Sequence, residues 1–458
     1  MSPQTAVCGA PRSERSGARR WCGNFILAAL IAGVSGCTLY HPKPLPSKPN
    51  LVSVEALRTP AAHFGLPGLT PAPLDPHTGF TAVNLMELAV AGDPQLRATR
   101  ARAGVADAQL FAAGLLPDPQ ISAGWSQSPV RTGYSIGLME DVRALLTMQA
   151  AEQAAGAHVR QVNLEILWQE WQVAERARML FVRAQESRHL RAVLAPKRRL
   201  LAALLARDDR ELASGDMTAA AVAAELAEWN AAQSQWQALA LEANRTWHAI
   251  DGLLGLRPGA RLRLCGTAAS PVLSRRRFLA ALTSLPRRRP DLLALRAGYE
   301  SAEEELRAQI LRQFPLIGAG VQKARSAEEG IQTTGFNVTL TLPLFNRNRG
   351  AIAIARASRE YLYQVYQSRL DAAVNQADQL YDAGRIMRRQ LHAANAHLVR
   401  LERAGKAARA SFERGELDLA SYTAVAGNVA SARMRVISLR ASVAQATSAL
   451  GMLLALPL

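Results

Sequence analysis

Cysteine is scarce in this 458-residue chain, with only Cys8, Cys22, Cys37 and Cys265 present. Four thiols in so long a chain do not make a disulfide-dense scaffold, and no set of cysteines and histidines has the spacing of a zinc site. The eight histidines are dispersed; His392 and His397 lie about 140° apart on a helix and cannot face one ligand. No run of eighteen apolar residues occurs, which by length predicts no helical membrane span. Aromatics are only 5% of the residues, and the basic side chains are not interleaved with them. They are scattered along amphipathic stretches with Asp and Glu, so the pI near 10.6 does not read as a nucleic-acid surface. Enzyme constellations are missing as well. Gly318-Ala319-Gly320 lies in a predicted strand without the helix opening of a phosphate loop, and no Gly-x-Ser-x-Gly elbow stands between strand and helix. No cofactor is implied.

What is present begins with a leader. Arg12, Arg15, Arg19 and Arg20 form a basic region, Phe25 to Val34 is an apolar stretch, and Val34-Ser35-Gly36-Cys37 follows. These residues resemble the lipobox of bacterial lipoproteins. The resemblance implies that residues 1–36 are a signal peptide and that Cys37 is the lipid attachment site. Thr38, in place of an Asp, resembles lipoproteins sent on to the outer membrane. Acyl chains on Cys37 would hold the chain at a membrane by burying methylenes. The leader carries four Arg against Glu14, so removing it lowers the formal +17 to +14 and leaves Cys265 as the one free thiol.

The most informative feature is a duplication. Sliding Pro94 onto Pro290 matches about thirty residues without a gap, at an offset of 196. Leu96 meets Leu292, Arg100 meets Arg296, Ala106 meets Ala302, Pro119 meets Pro315, and Ala123-Gly124 meets Ala319-Gly320. Ala-rich helices could align by chance, but not with a shared proline, strand start and glycine. Each copy reads as a helix (94 to 116, 290 to 313) and then two strands. The strands are Gln120 to Gln127 and Gly133 to Glu140 in the first copy, and Leu316 to Gln322 and Gly335 to Phe345 in the second. Their alternation puts Ile121, Trp125, Ile136 and Leu138 on one face and Ser122, Ser126 and Ser135 on the other.

Two long helices joined by a tight turn follow in each copy. From Tyr366 to Phe412, apolar and small residues recur alternately four and three apart, a heptad stripe that predicts close helix pairing. A helix from Asn348 to Phe412 would be about 95 Å long. Gly215, in Ala213-Ser214-Gly215-Asp216, and Gly415, in Glu413-Arg414-Gly415-Glu416, stand where a helix ends in a left-handed residue. Thr218 and Asp418 are placed to cap the next helix. Trp168, Trp171, Trp229 and Trp236 read as interhelical packing. Residues 38 to 80 hold nine prolines and read as an extended arm.

Four strands cannot close a conducting barrel, and lipid forbids open edges, so the strands require other copies of the chain. The strand-to-helix joint, Pro343, Phe345, Asn346, Asn348 and Gly350 within TLPLFNRNRG, marks the edge of the membrane zone. Together the lipobox, the Pro-rich arm, the duplicated helix, strand pair and helical hairpin, and this joint resemble the outer-membrane efflux proteins of the TolC family. The likeness is to the lipoprotein exit ducts of resistance-nodulation-division pumps. The resemblance implies a mixed α and β membrane protein, a homotrimer whose twelve-stranded β-barrel in outer-membrane lipid continues as a twelve-helix periplasmic α-barrel. It divides the chain into the leader 1–36, an arm 37–83, a first efflux repeat 84–256, an equatorial connector 257–283 and a second repeat 284–458. It also implies a periplasmic adaptor protein and an inner-membrane pump as partners, meeting the helical tips at Gly215, Asp216, Gly415, Glu416 and Asp418. Glu416 and Asp418 are the acidic candidates for an entrance ring. The joint looks most like relatives that export metal cations. A periplasmic coiled-coil scaffold or adaptor lipoprotein is the rival reading, though it has no use for paired strands.

Overall fold

The computed structural model describes residues 40–57, 79–129, 131–267 and 272–456. The leader and Cys37 lie outside the described residues. The chain divides into Met1–Asn50 and Leu51–Leu458. In the first unit, the described residues 40–50 are exposed and form no helix or strand. Among the described residues, all regular elements belong to the second unit.

There the order is α1 (Ala82–Gly92), α2 (Pro94–Ala113), β1 (Gln120–Gln127), β2 (Thr132–Asp141), α3 (Val142–Ser214) and α4 (Ala219–Leu254). It then repeats as α5 (Arg275–Arg288), α6 (Pro290–Leu311), β3 (Leu316–Arg325), β4 (Gln332–Thr341), α7 (Arg349–Glu413) and α8 (Leu419–Leu453). The duplication thus starts one helix earlier than the matched residues suggest, because α1 and α5 end at positions that are also 196 apart. In both copies a single residue, Asp93 or Arg289, separates that helix from the next, which opens on a proline. Proline suits this first helical position because its missing N–H would have no partner there. Thr81 and Asn84 cap α1 reciprocally, side chain to backbone in both directions.

Each copy has its own core. Leu85, Met86 and Ala89 of α1 pack with Trp171 and Phe181 of α3 and with Ile250 and Leu254 of α4. Leu256, just past α4, and Leu262 and Leu264 of the connector close that cluster. In the second copy Phe278 and Leu285 of α5 and Leu292 of α6 pack on Ala373, Ala377 and Tyr381 of α7 and on Leu450 of α8. The Phe278 and Tyr381 rings stack with centroids 4.3 Å apart. Backbone hydrogen bonds tie the predicted arm to the end of the first repeat and to the connector: Val52 N–H donates to Gly255 O and Phe80 N–H to Arg263 O, making short parallel bridges to Leu256 and Leu264.

Several expectations are corrected. Helix α2 stops at Ala113 rather than 116, and α6 at Leu311 rather than 313. Strand β3 runs on to Arg325. Strand β4 begins at Gln332, three residues early, and ends at Thr341, not Phe345. The alternation continues past the ladder, but Pro343 has no N–H to donate, and Leu344 N–H turns back to Leu342 O at 2.9 Å. Contrary to the expectation that no segment suffices for a helical span, α8 is long and apolar enough by length and composition. It packs instead along α7 and α3, burying Ala430, Val436, Ala441 and Leu450. Its apolarity is that of a helix pressed against neighbours by small residues. The stripe on α7 is observed: every position from Tyr366 through Leu370, Ala373, Ala377 and Gly384 to Phe412 is buried or half-buried. Trp168 and Trp171 are buried, and Trp229 and Trp236 pack on Leu194 and Leu201.

Candidate functional site

The four strands form one antiparallel sheet in the order β1-β2-β3-β4. The register aligns rows of side chains across it. Ile121, Leu138, Val321 and Phe336 form one row, and Gln120, Met139, Gly320 and Asn337 the next, on the opposite face. One face therefore carries Ile121, Ile136, Leu138, Ile317, Val321, Phe336, Val338 and Leu340, all exposed, Phe336 to 92%. The other carries Ser122, Gly124, Ser135, Gly137, Gly320, Gln322, Gly335, Asn337 and Thr339. Among the described residues, β1 and β4 each pair on one side only. Such a sheet has a greasy outside, a small polar inside and two open edges. The string Gly133-Tyr134-Ser135-Ile136-Gly137 lies wholly within β2, with Ser135 opposite Gly124 and Ala324, so it is no nucleophile elbow.

The two strand-to-helix joints are built differently. After β2 the chain enters α3 with no intervening loop, and Asp141 caps the helix by accepting from Arg143 and Ala144 N–H. This cap was missed from sequence. After β4, Asn346 O accepts from Arg349 N–H, and Arg347 and Asn348 both take the left-handed conformation, at φ +48° and +53°. Asn348 Nδ2 holds the joint to α6, donating to Gln309 O at 2.8 Å and Gln309 Oε1 at 2.9 Å. Phe345 is 89% exposed beside exposed Leu342 and Leu344, and the position of Gly350 is open.

At the far ends of the hairpins, Gly215 and Gly415 are left-handed at φ +84° and +75°. Asp216 N–H reaches back to Glu211 O, and Glu416 N–H to Ser411 O, which closes each helix end. Thr218 directly precedes α4, where its carbonyl accepts from Val222 N–H. Asp418 caps α8 by accepting from Ser421 N–H and Oγ, which holds its carboxyl below the usual range. Glu416 is gripped by Arg414 through two hydrogen bonds, and its pKa is lowered for that reason. Both acidic candidates are thus engaged within their own turn. A buried carboxylate near the other tip went unnoticed in sequence: Asp208 is raised by desolvation, as is Glu225 across from it on α4.

Glu175 was also missed. It is 2% exposed in the middle of α3, its Oε2 accepts from Ser448 Oγ of α8 at 2.7 Å, and its Oε1 has no partner. Burial pushes its pKa up to about 7, against smaller lowering by Ser448 and Arg178. The folded protein therefore binds a proton that the unfolded chain has already lost between the ordinary carboxylate range and pH 7. Stability from this site should fall as pH rises through that window and level off above it, by up to about 3 kcal/mol. Glu175→Gln should flatten the dependence, so that at pH 8 the variant melts higher than the wild type. Thermal midpoints of both proteins at pH 5 and pH 8 check this; parallel curves would refute it.

A sheet of this kind feeding long paired helices is also found in solved outer-membrane channels. Residues 282–456 match the family model described as outer membrane efflux protein. Solved structures share the fold along most of their length. The outer membrane channel CmeC of Campylobacter jejuni superposes at a TM-score of 0.68 with 13% identity, covering 87% of this chain and 94% of that one. VceC of Vibrio cholerae gives 0.64 and 15%, covering 82% and 96%. CusC, described for transmembrane channel formation, gives 0.66 and 16%, covering 87% and 98%. No curated protein matches. The second repeat thus matches the outer membrane efflux protein model, and the chain shares the fold of these solved channels.

Proposed function

We propose that the chain is the outer-membrane exit duct of a tripartite efflux system, passing substrates from an inner-membrane pump and a periplasmic adaptor to the outside without bond chemistry. The observation that carries this is the sheet: four strands with an exposed apolar face, a polar face of small residues and two open edges. Unsatisfied edges are not tolerated in lipid, so identical copies complete the cylinder, three of them giving twelve strands. Helix α3, at about 110 Å, and α7, at about 98 Å, extend the wall away from the membrane. The tips at Gly215, Asp216, Gly415, Glu416 and Asp418 are the surface offered to the adaptor, and Cys37 carries the lipid anchor.

Measurements on the purified protein and on cells test the reading. The detergent-extracted mature protein should run as a trimer whose mobility changes on heating, and it should fractionate with the outer membrane. A water-soluble monomer would end the proposal. A deletion strain should become sensitive to the pump's substrates, restored by the wild-type chain. Cys37→Ala should still yield trimers, with less protein held at the membrane. A scaffold would fractionate without heat-modifiable sheet.

A further inference from the structure

We infer that the apolar face of the sheet carries a site for the phosphate of a lipid headgroup, formed by Lys323 and Arg325 of β3 at the end of the sheet away from the helices. The inference rests on the membrane reading above, which makes that end the outer leaflet. The register sets Arg325 in one row with Trp125, Tyr134 and Gln332, and Lys323 in the next row with Ala123, Ile136 and Thr334. Both cations share the face of Val321, and both are exposed. The ion pairs among the described residues include neither of them. The β3–β4 turn beyond holds Glu328 and Glu329, and Arg131 of the neighbouring β1–β2 turn donates from Nη1 to Glu329 O.

Cations on a lipid-facing surface are costly at mid-membrane and nearly free at the interface, so their place is informative. The three rows nearer the helices carry Ile121, Leu138, Val321, Phe336, Val338, Ile317 and Leu340, with Glu140 the one charged residue. Trp125, 85% exposed, stands where amphipathic rings settle at headgroup level. Rows on one face are about 7 Å apart along a strand. Lys323 can therefore run its stem up beside Ile136 and bring its ammonium level with the Arg325 guanidinium. Two unpaired cations at headgroup depth, flanked by aromatic rings, match an anionic phosphate above acyl chains.

The test compares wild-type protein with Lys323→Gln/Arg325→Gln and with the charge-preserving Lys323→Arg/Arg325→Lys. Each is purified in neutral detergent and titrated with diphosphorylated lipid A, with dephosphorylated lipid A, and with inorganic phosphate, following the thermal midpoint of the trimer and lipid retained in native mass spectra. Diphosphorylated lipid A should raise the wild-type midpoint, and neutralising both cations should weaken binding roughly thirtyfold. The charge-preserving variant should bind like the wild type, and neither control ligand should act. Equal binding by wild-type and neutral variants, or an equal response to dephosphorylated lipid, would overturn the site. A response to inorganic phosphate alone would replace the lipid by a free ion and overturn it too. If the wild type needed no detergent to stay in solution, the membrane reading would fall first, and none of the proteins would retain lipid.

Discussion

Replacing Asp291 by alanine is expected to destabilise each chain by about 3–5 kcal/mol, read as a lowered thermal midpoint of helix content. Asp291 is the meeting point of three elements. Its Oδ1 accepts from Arg289 Nε at 2.6 Å and its Oδ2 from Arg289 Nη2 at 3.0 Å, while Arg369 of α7 donates to Oδ2 at 2.8 Å. Arg289 is 2% exposed, and its guanidinium lies over the Trp168 ring of α3, 4.8 Å from the centroid. Its Nη1 already has no partner. Removing the carboxylate would strand a buried guanidinium cation without its counter-charge. The effect should be asymmetric. Arg369 is 41% exposed and water can replace it, so Arg369→Ala should cost no more than about 1 kcal/mol. Equal losses in the two variants would show that the outer contact, not the stranded guanidinium, governs this joint.

This cluster also shows where reading the chain by itself stopped. The duplication aligns Arg289 with Asp93 and Asp291 with Gln95. In the first copy Asp93 caps α2 by accepting from Leu96 N–H. In the second the acid has moved two residues on, where it bonds Leu292 N–H and gains two arginines. Helix start and proline were legible in both, because N-terminal capping is local. The ion cluster was not, because Arg369 lies 78 residues away on α7. The same division holds elsewhere. Gly215 and Gly415 were legible because a left-handed helix end is set by the glycine itself. The α7 stripe was legible because its period survives for six heptads. Helices α1 and α5 were overlooked, although the Thr81 to Asn84 spacing of a cap was there to be read. The end of β4 was misplaced because alternation records which face a side chain takes, whereas the strand ends where pairing ends, and Pro343 decides that. Glu175 gave no signal, since nothing local tells a carboxylate facing Ser448 from one facing water. Among the proposed site residues, Asn348 is held by the carbonyl and side chain of Gln309, a contact invisible in the NRNRG string.

Leu391→Pro tests the other long-range claim, that α7 is one unbroken member of a packed wall. A proline at 391 removes the N–H that closes on the Met387 carbonyl, and its ring collides with that carbonyl, at about 3 kcal/mol or more per copy. The chain already contains a counter-example that must be met. Pro196 lies within α3, which nevertheless runs from Val142 to Ser214. Pro196 is on an exposed face, however, where a local bend disturbs solvent alone. Leu391 is on the seam, half-buried, and its carbonyl accepts from Asn395 Nδ2 at 2.9 Å. A kink there would lift both flanking turns of the stripe off α8, the main packing neighbour of α7. Leu391→Ala is the control: it keeps the backbone and trims part of a half-buried side chain, so about 1 kcal/mol is expected. The proline variant should therefore melt well below the alanine variant and be cut faster by trypsin at Arg388 and Arg389, both on the turn that would open. If the two variants melted together, with cleavage unchanged, the helix would be jointed at this level and the wall would consist of two stacked segments.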